Sequence, residues 1–163
     1  MDVLELMQKE EEAILTEALQ AVAWLEHYER DGDELALERL SALFRMVADA
    51  VRTRDLEGLV SHATRIARER HAAGYRRAEV LSAVSALEEA IWHRALVALP
   101  AADQAWALGL VGTVVTHARE ALAEAFAELS RSTPAAHVDL SPLFRGAGRR
   151  AGDRFTEDMV YPV

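Results

Sequence analysis

The sequence predicts an all-α protein, and three observations support that prediction. Alanine, leucine, glutamate and arginine dominate its 163 residues, which include only eight glycines and four prolines. Apolar residues recur every three or four positions over long segments, the spacing of one face of an α-helix. Turn-forming residues divide those segments into five stretches. We therefore expect an antiparallel four- to five-helix bundle over residues 1–133 and an irregular C-terminal tail over residues 134–163.

The first predicted helix runs from Asp2 to about Arg30 and has an acidic outer face. Its apolar residues follow alternating steps of three and four, which is nearly the spacing of a coiled coil. This seam consists of Leu4, Met7, Ile14, Ala18, Ala21, Leu25 and Tyr28. Gly32 ends the helix because glycine tolerates a left-handed turn, and Asp33 caps the next one.

The second predicted helix covers residues 34–54, and the third begins after Asp55 with a cationic face opposite its apolar face. The cations of that face and of the turn after it are Arg65, Arg68, Arg70, Arg76 and Arg77. Two interpretations of these arginines are open. They pair with acids of the first helix or of a second subunit, or they form an anion-binding site beside the turn at Gly74. Pairing is favoured, since no phosphate-cradling glycine loop accompanies them.

The fourth predicted helix follows Gly74 and is apolar enough to be the centre of the bundle. Pro100 ends it, and the fifth helix reaches about Arg131, where Gly109 and Gly112 suggest close packing of a neighbouring helix. The predicted core contains Leu25, Phe44, Ile66, Val84, Leu87, Ile91, Val115 and Leu122. The tail keeps many apolar residues without a helical period, so we expect it to dock on the bundle or on a partner subunit.

The turn at Gly74 lies within a distinctive pattern. An arginine-rich helix end precedes a glycine and an aromatic residue, and a Glu-Val-Leu sequence then opens an apolar helix that ends in another aromatic. The pattern comprises Arg68, Arg70, Gly74, Tyr75, Glu79, Val80, Leu81, Leu87, Ile91 and Trp92. It resembles the N-terminal helical domain of the RsbR/RsbRD proteins, the RsbT co-antagonists of bacterial stress signalling. The likeness covers about residues 10–130 in helix order.

The resemblance implies a role in signalling. Members of that family place the helical domain ahead of an output module such as a STAS domain, a kinase or a helix-turn-helix, whereas only 33 residues follow Ser130 here. It thus implies a non-catalytic sensory or regulatory module that binds a ligand or a protein, with a signalling partner of the STAS or kinase type. A sensed ligand is expected at Arg70, His71, Tyr75 and Trp92.

Two histidines are candidate site residues. His71 precedes Gly74 in the last helical turn, where the helix dipole favours a cationic side chain, so it is either a ligand group or a cap. His117 is a candidate ligand group across the bundle. The favoured interpretation of His117 is a hydrogen-bonded core histidine.

Motifs that carry chemistry are missing from the sequence. There is no cysteine, no Glu-x-x-His pair for a di-iron site, no nucleophile elbow and no phosphate or dinucleotide loop. We therefore expect no enzymatic activity, no metal and no cofactor. One alternative is open, because Phe44 and His93 have the spacing of the haem-contact phenylalanine and proximal histidine of globins. That alternative is a haem or small-ligand carrier with a globin-like helical fold.

Charge and hydropathy narrow the expected partners. The net charge of −9 disfavours nucleic acid, and no apolar run approaches the length of a membrane span. The acidic N-terminus lacks the positive charge of a signal peptide, so we expect a cytoplasmic protein. The coiled-coil-like seam, the arginine face and the apolar tail together favour a homodimer.

Overall fold

The structure is a computed structural model that describes residues 1–132, and this part of the chain forms seven α-helices and no strand. The helices are α1 (Val3–Lys9), α2 (Glu11–Val22), α3 (Glu26–Asp31), α4 (Asp33–Thr53), α5 (Glu57–Ala72), α6 (Arg77–Ala98) and α7 (Ala101–Ser132). The all-α prediction is confirmed, whereas the predicted division after residue 133 and the predicted docking of the tail lie outside the described residues. Within residues 1–132, every helix is too short or too polar to cross a membrane.

The predicted single helix from Asp2 to Arg30 is wrong, because the structure divides it into α1, α2 and α3. At Glu10 the backbone leaves the helical region (φ −104°, ψ 11°), although hydrogen bonds of 2.9 and 2.8 Å continue from its N–H and to its carbonyl. At the second break, between α2 and α3, the helical backbone ends, since Leu25 is extended (φ −70°, ψ 137°). The chain therefore bends twice where the sequence has neither glycine nor proline.

The apolar seam of this segment faces the interior of its own chain. Met7, Ile14 and Ala18 are fully buried. The helix that carries most of the seam, α2, packs mainly against α6 and to a lesser extent against α4. Apart from the exposed Ala21, the seam is therefore covered at least in part within one chain, and it does not supply the exposed coiled-coil surface on which the homodimer prediction partly depended.

Helix α6 is the most buried helix, as its composition predicts. It packs most extensively against α2 and α7, while α5 also packs against α7. Six of the eight predicted core residues are buried, namely Phe44, Val84, Leu87, Ile91, Val115 and Leu122. The other two, Leu25 and Ile66, are partly buried against the same core. The predicted core is thus confirmed for these six residues, and the other two lie at its edge.

The glycines differ in what they do for the fold. The predicted turn at Gly74 between α5 and α6 is confirmed, and its φ of +84° is a left-handed conformation that glycine tolerates. Among residues 1–132, a Cβ atom at Gly109 would have no neighbour within 4 Å, and one at Gly112 would make ordinary contacts of 3.6 Å with Glu88 and Trp92. The predicted close approach of a neighbouring helix at Gly109 and Gly112 is therefore wrong.

Candidate functional site

A network of polar side chains fastens the α5–α6 turn to α3 and α4. We call it the Tyr75 cluster, and it consists of His27, Asp31, Arg39, Tyr75 and Glu79. The Tyr75 hydroxyl donates a hydrogen bond to Asp31 Oδ2 at 2.7 Å and accepts one from Arg39 Nη1 at 2.6 Å. Arg39 Nη1 also lies 2.9 Å from the same Asp31 oxygen. One buried phenol therefore joins three segments of the chain.

Asp31 is the anionic centre of the Tyr75 cluster. Its second oxygen, Oδ1, accepts a hydrogen bond of 2.8 Å from Arg30 Nε. The hydrogen bond from Arg30, followed by those from Tyr75 and Arg39, holds the pKa of the Asp31 carboxyl well below its ordinary value, although desolvation opposes the shift. Asp31 therefore stays ionised under all ordinary conditions.

Glu79 holds the same turn from the first turn of α6. Its carboxylate accepts hydrogen bonds from the backbone N–H groups of Arg76 at 3.0 Å and His27 at 3.1 Å. Burial acts to raise the pKa of Glu79, but these hydrogen bonds outweigh it and lower that pKa. His27 Nδ1 lies 2.7 Å from Glu79 Oε2, an ion-pair distance without the alignment of a hydrogen bond. Glu79 thus connects α6 to the start of α3.

Tyr75 and Glu79 belong to the pattern that resembles the RsbR/RsbRD domain, and both are structural here. Tyr75 is 4% exposed and Glu79 is also 4% exposed, with their polar atoms committed to α3, α4 and the turn. The sequence predicts Tyr75 as a ligand-binding residue. The geometry places its hydroxyl in the interior instead, where it positions neighbouring side chains.

A cleft opens beside this cluster, between α4 and α5, with a volume of about 290 Å³. We call it the α4–α5 cleft. It is lined by Leu35, Glu38, Arg39, Ala42, His62, Arg65, Ile66, Glu69 and Arg70. Arg39 belongs both to the wall of the cleft and to the Tyr75 cluster, so the cleft and the cluster share a residue.

Arg70 is a buried cation without a full partner. It is 7% exposed, and its nearest acid is Glu69, whose Oε2 lies 3.6 Å from Arg70 Nη1, beyond a good hydrogen bond. Within residues 1–132 its guanidinium donates no hydrogen bond to the protein, and its Cζ lies 5.9 Å from the centre of the Tyr75 ring. Burial, and then the charge of Arg39, lower the pKa of Arg70.

His62 contributes a second polar group that lacks a partner. Arg65 Nη2 lies 2.7 Å from His62 Nδ1, and because a guanidinium can only donate, Nδ1 must accept and the ring proton must sit on Nε2. Burial, and then Arg65, lower the pKa of His62 and so favour this neutral form. Within residues 1–132, His62 Nε2 is buried without a hydrogen-bond partner. An unsatisfied buried donor costs about 1–3 kcal/mol.

The other predicted site residues lie apart from the cleft. His71 is half-buried and packs edge-on against Phe126, with ring centres 5.9 Å apart. Trp92 is 36% exposed and lies about 20 Å along α6 from the turn. The His117 side chain is exposed and lies 3.9 Å from Glu120, so the core position favoured for it is wrong. Of the predicted site residues, the structure therefore brings Arg70 and Tyr75 close together. Trp92 and His117 lie away from both of them.

The geometry also bears on the arginines and on the haem alternative. Arg76 makes the predicted pair with an acid of the N-terminal segment, Glu26, at 2.7 Å. The side chain of His93 is 60% exposed, and its Nδ1 lies 2.9 Å from Glu17 Oε1. A proximal haem ligand must face an interior pocket, so the position of His93 does not favour the globin-like alternative.

The sequence alone does not indicate His62 as a binding residue. The available signal was the spacing of His62, Ile66 and Arg70 at intervals of four, which places them along one line of α5. Spacing alone does not say which neighbouring helix covers that line, and here α4 and α5 leave an open cleft over it. Within residues 1–132, no three histidine, aspartate or glutamate side chains come together as a metal site.

Comparison with known proteins does not identify the chain. No protein-family model matches it, and no curated protein or solved structure matches it significantly. The likeness to the RsbR/RsbRD domain therefore stays a prediction from the sequence.

Proposed function

We propose that this chain is a non-catalytic regulatory module of the cytoplasm, an antiparallel helical bundle that acts by binding a ligand or a protein. The resemblance to the RsbRD N-terminal domain suggests this role. The observation that supports it best is Arg70, a buried cation that lines the α4–α5 cleft and also faces the ring of Tyr75. A group bound in the cleft would therefore act next to the cluster that joins α3, α4 and the α5–α6 turn.

This arrangement suits regulation better than catalysis. A ligand shifts a conformational equilibrium by contacting one state better than another. Arg39 belongs both to the cleft and to the Tyr75 cluster, so a ligand in the cleft would directly affect the contacts that join α3, α4 and the α5–α6 turn. Ser61 and His62 are adjacent on α5, where consecutive side chains point about 100° apart, so they do not form a nucleophile and base pair. The haem form of the carrier alternative requires an interior proximal histidine, and the exposed His93 is poorly placed to be one.

The signalling part of the proposal predicts a protein partner. We expect the purified chain to form a complex, measurable by light scattering, with a STAS-type or kinase-type protein encoded beside its own gene. We also expect its visible spectrum to lack a Soret band, since the histidine with the globin-like spacing is exposed. A Soret band at one haem per chain would establish the carrier alternative. Failure of every such neighbour to bind would contradict the signalling role.

The proposal includes a homodimer, now supported by a different surface. Large apolar side chains are exposed on both sides of the α6–α7 turn, with Leu96 53%, Val97 77% and Trp106 57% exposed. Large exposed apolar groups near one turn favour a protein contact, and a second copy is the commonest partner. Light scattering should give twice the chain mass of 18.0 kDa at micromolar concentration.

A matched pair of variants tests that surface. Val97→Glu should convert the dimer to a monomer, whereas Val60→Glu, on α5 at a position 38% exposed, should leave the mass unchanged. A monomeric unmodified chain would contradict the homodimer.

A further inference from the structure

The charges that line the α4–α5 cleft do not balance. Arg39, Arg65 and Arg70 contribute three positive charges, Glu38 and Glu69 contribute two negative ones, and His62 is neutral. The formal charge of the lining is therefore +1. Arg39 is already bound to Asp31 and Tyr75, and Arg65 donates to His62. Arg70 is the arginine of the cleft that donates no hydrogen bond within residues 1–132.

Two donor side chains of the cleft thus lack acceptors among the residues that the structure describes. Arg70 offers guanidinium N–H groups, and His62 offers Nε2–H, with the two residues 7% and 9% exposed. Both lie on α5 and both line the same space. An oxyanion would supply what these donors lack, because charge-assisted hydrogen bonds to carboxylate or phosphate oxygens are the strongest that arginine makes.

Charge, size and polarity specify the ligand further. A monoanion neutralises the single charge of Arg70, whereas a dianionic phosphate would add negative charge beside Glu38 and Glu69. The volume of about 290 Å³ lies at the small end of ligand pockets, which span about 300–1,000 Å³. Three aliphatic side chains also line the cleft, those of Leu35, Ala42 and Ile66. These features fit a short aliphatic body.

We infer that the α4–α5 cleft binds a small aliphatic monocarboxylate, with Arg70 and His62 Nε2–H as its donors. This inference rests on the proposed function, since it names the ligand class of the same regulatory module. The bound carboxylate satisfies Arg70 where its guanidinium faces the Tyr75 ring. Ligand binding in the cleft is thereby linked to the stability of the Tyr75 cluster, which joins α3, α4 and the α5–α6 turn.

Calorimetric titration of the full chain tests the inference, with sodium butyrate as the probe and inorganic phosphate as the second arm at matched ionic strength. Butyrate is expected to bind with a millimolar dissociation constant and to raise the melting temperature, and phosphate to bind more weakly. Arg70→Gln should weaken butyrate binding about tenfold or more. The control Arg68→Gln changes an exposed arginine of α5 outside the cleft and should leave binding unchanged.

A second pair of variants keeps the test decisive if Arg70→Gln does not fold. His62→Phe keeps a ring but removes the donor and should weaken binding severalfold, whereas His62→Gln keeps an N–H donor and should restore part of it. The inference is overturned if butyrate does not bind, if phosphate binds more tightly, or if Arg68→Gln loses as much affinity as Arg70→Gln.

The inference and the proposed function fail in different ways. If butyrate does not bind but the chain still binds a signalling protein, the inference is overturned and the proposed function stands. Butyrate that binds but is consumed, as followed by proton NMR over hours, would support the cleft and overturn the non-catalytic role.

Discussion

Leu87→Asp is expected to abolish the native fold. Leu87 is 1% exposed in α6, the helix that packs most extensively against α2 and α7. An unpaired carboxylate there costs several kcal/mol, and loss of the leucine side chain adds about 2–5 kcal/mol, against a total stability of about 5–15 kcal/mol. Far-UV circular dichroism should therefore show loss of most of the helix signal at 25 °C and neutral pH.

The matched control is Leu37→Asp, the same substitution on the exposed side of α4. Leu37 is 39% exposed, so its aspartate stays hydrated and the chain should remain helical, with a change in unfolding free energy within about 0.5 kcal/mol. A soluble Leu87→Asp variant with an unchanged helix signal would show that the assigned core is wrong.

The helical period of the sequence predicts which residues are buried better than it predicts where helices end. Met7, Ile14 and Ala18 are buried as their spacing predicts, yet they lie on two helices that meet at Glu10. The backbone hydrogen bonds continue through Glu10, so the apolar period is not interrupted and gives no sign of the bend. Such bends depend on how the segment fits over α4 and α6, which is tertiary information.

The turn at Gly74 was predictable because a single residue determines it. Glycine allows the φ of +84°, and α6 begins soon after it. The partners of the turn were not predictable, since Tyr75 bonds to Asp31 across 44 positions of sequence and Glu79 to the His27 amide across 52. The ligand role predicted for Trp92 assumed that it lies near the turn, and the role predicted for His117 assumed that it faces the turn from across the bundle. Trp92 lies far along α6, and the His117 side chain is exposed beside Glu120.

Asp31→Asn is the second variant with a large expected effect. The Asp31 side chain is 15% exposed and receives hydrogen bonds from Arg30, Arg39 and Tyr75. Asparagine keeps the shape but removes the charge and turns one acceptor into a donor that faces arginine. Hydrogen bonds to charged groups contribute about 1.5–3 kcal/mol, so we expect urea unfolding at pH 7 to show a loss of about that size.

Asp49→Asn is the control for Asp31→Asn. Its carboxylate pairs with Arg52, three residues away on α4, and the two side chains are 52% and 62% exposed. Exposed pairs contribute little, so this change should alter the unfolding free energy by less than about 1 kcal/mol. If the two substitutions lowered the unfolding free energy equally, the Tyr75 cluster would not stabilise the packing of α3, α4 and the α5–α6 turn.

The difference between the unmodified chain and Asp31→Asn should also depend on pH. The pKa of Asp31 is depressed in the folded state, first by Arg30 and then by Tyr75, relative to about 3.9 in an unfolded chain. Its contribution is therefore fully present above about pH 4 and declines as the pH falls toward the depressed folded value, because the unfolded state takes up the proton first. Urea unfolding at a series of pH values between 7 and 2.5 measures the decline. A difference that stays constant over that range would show that Asp31 is not held ionised by the cluster.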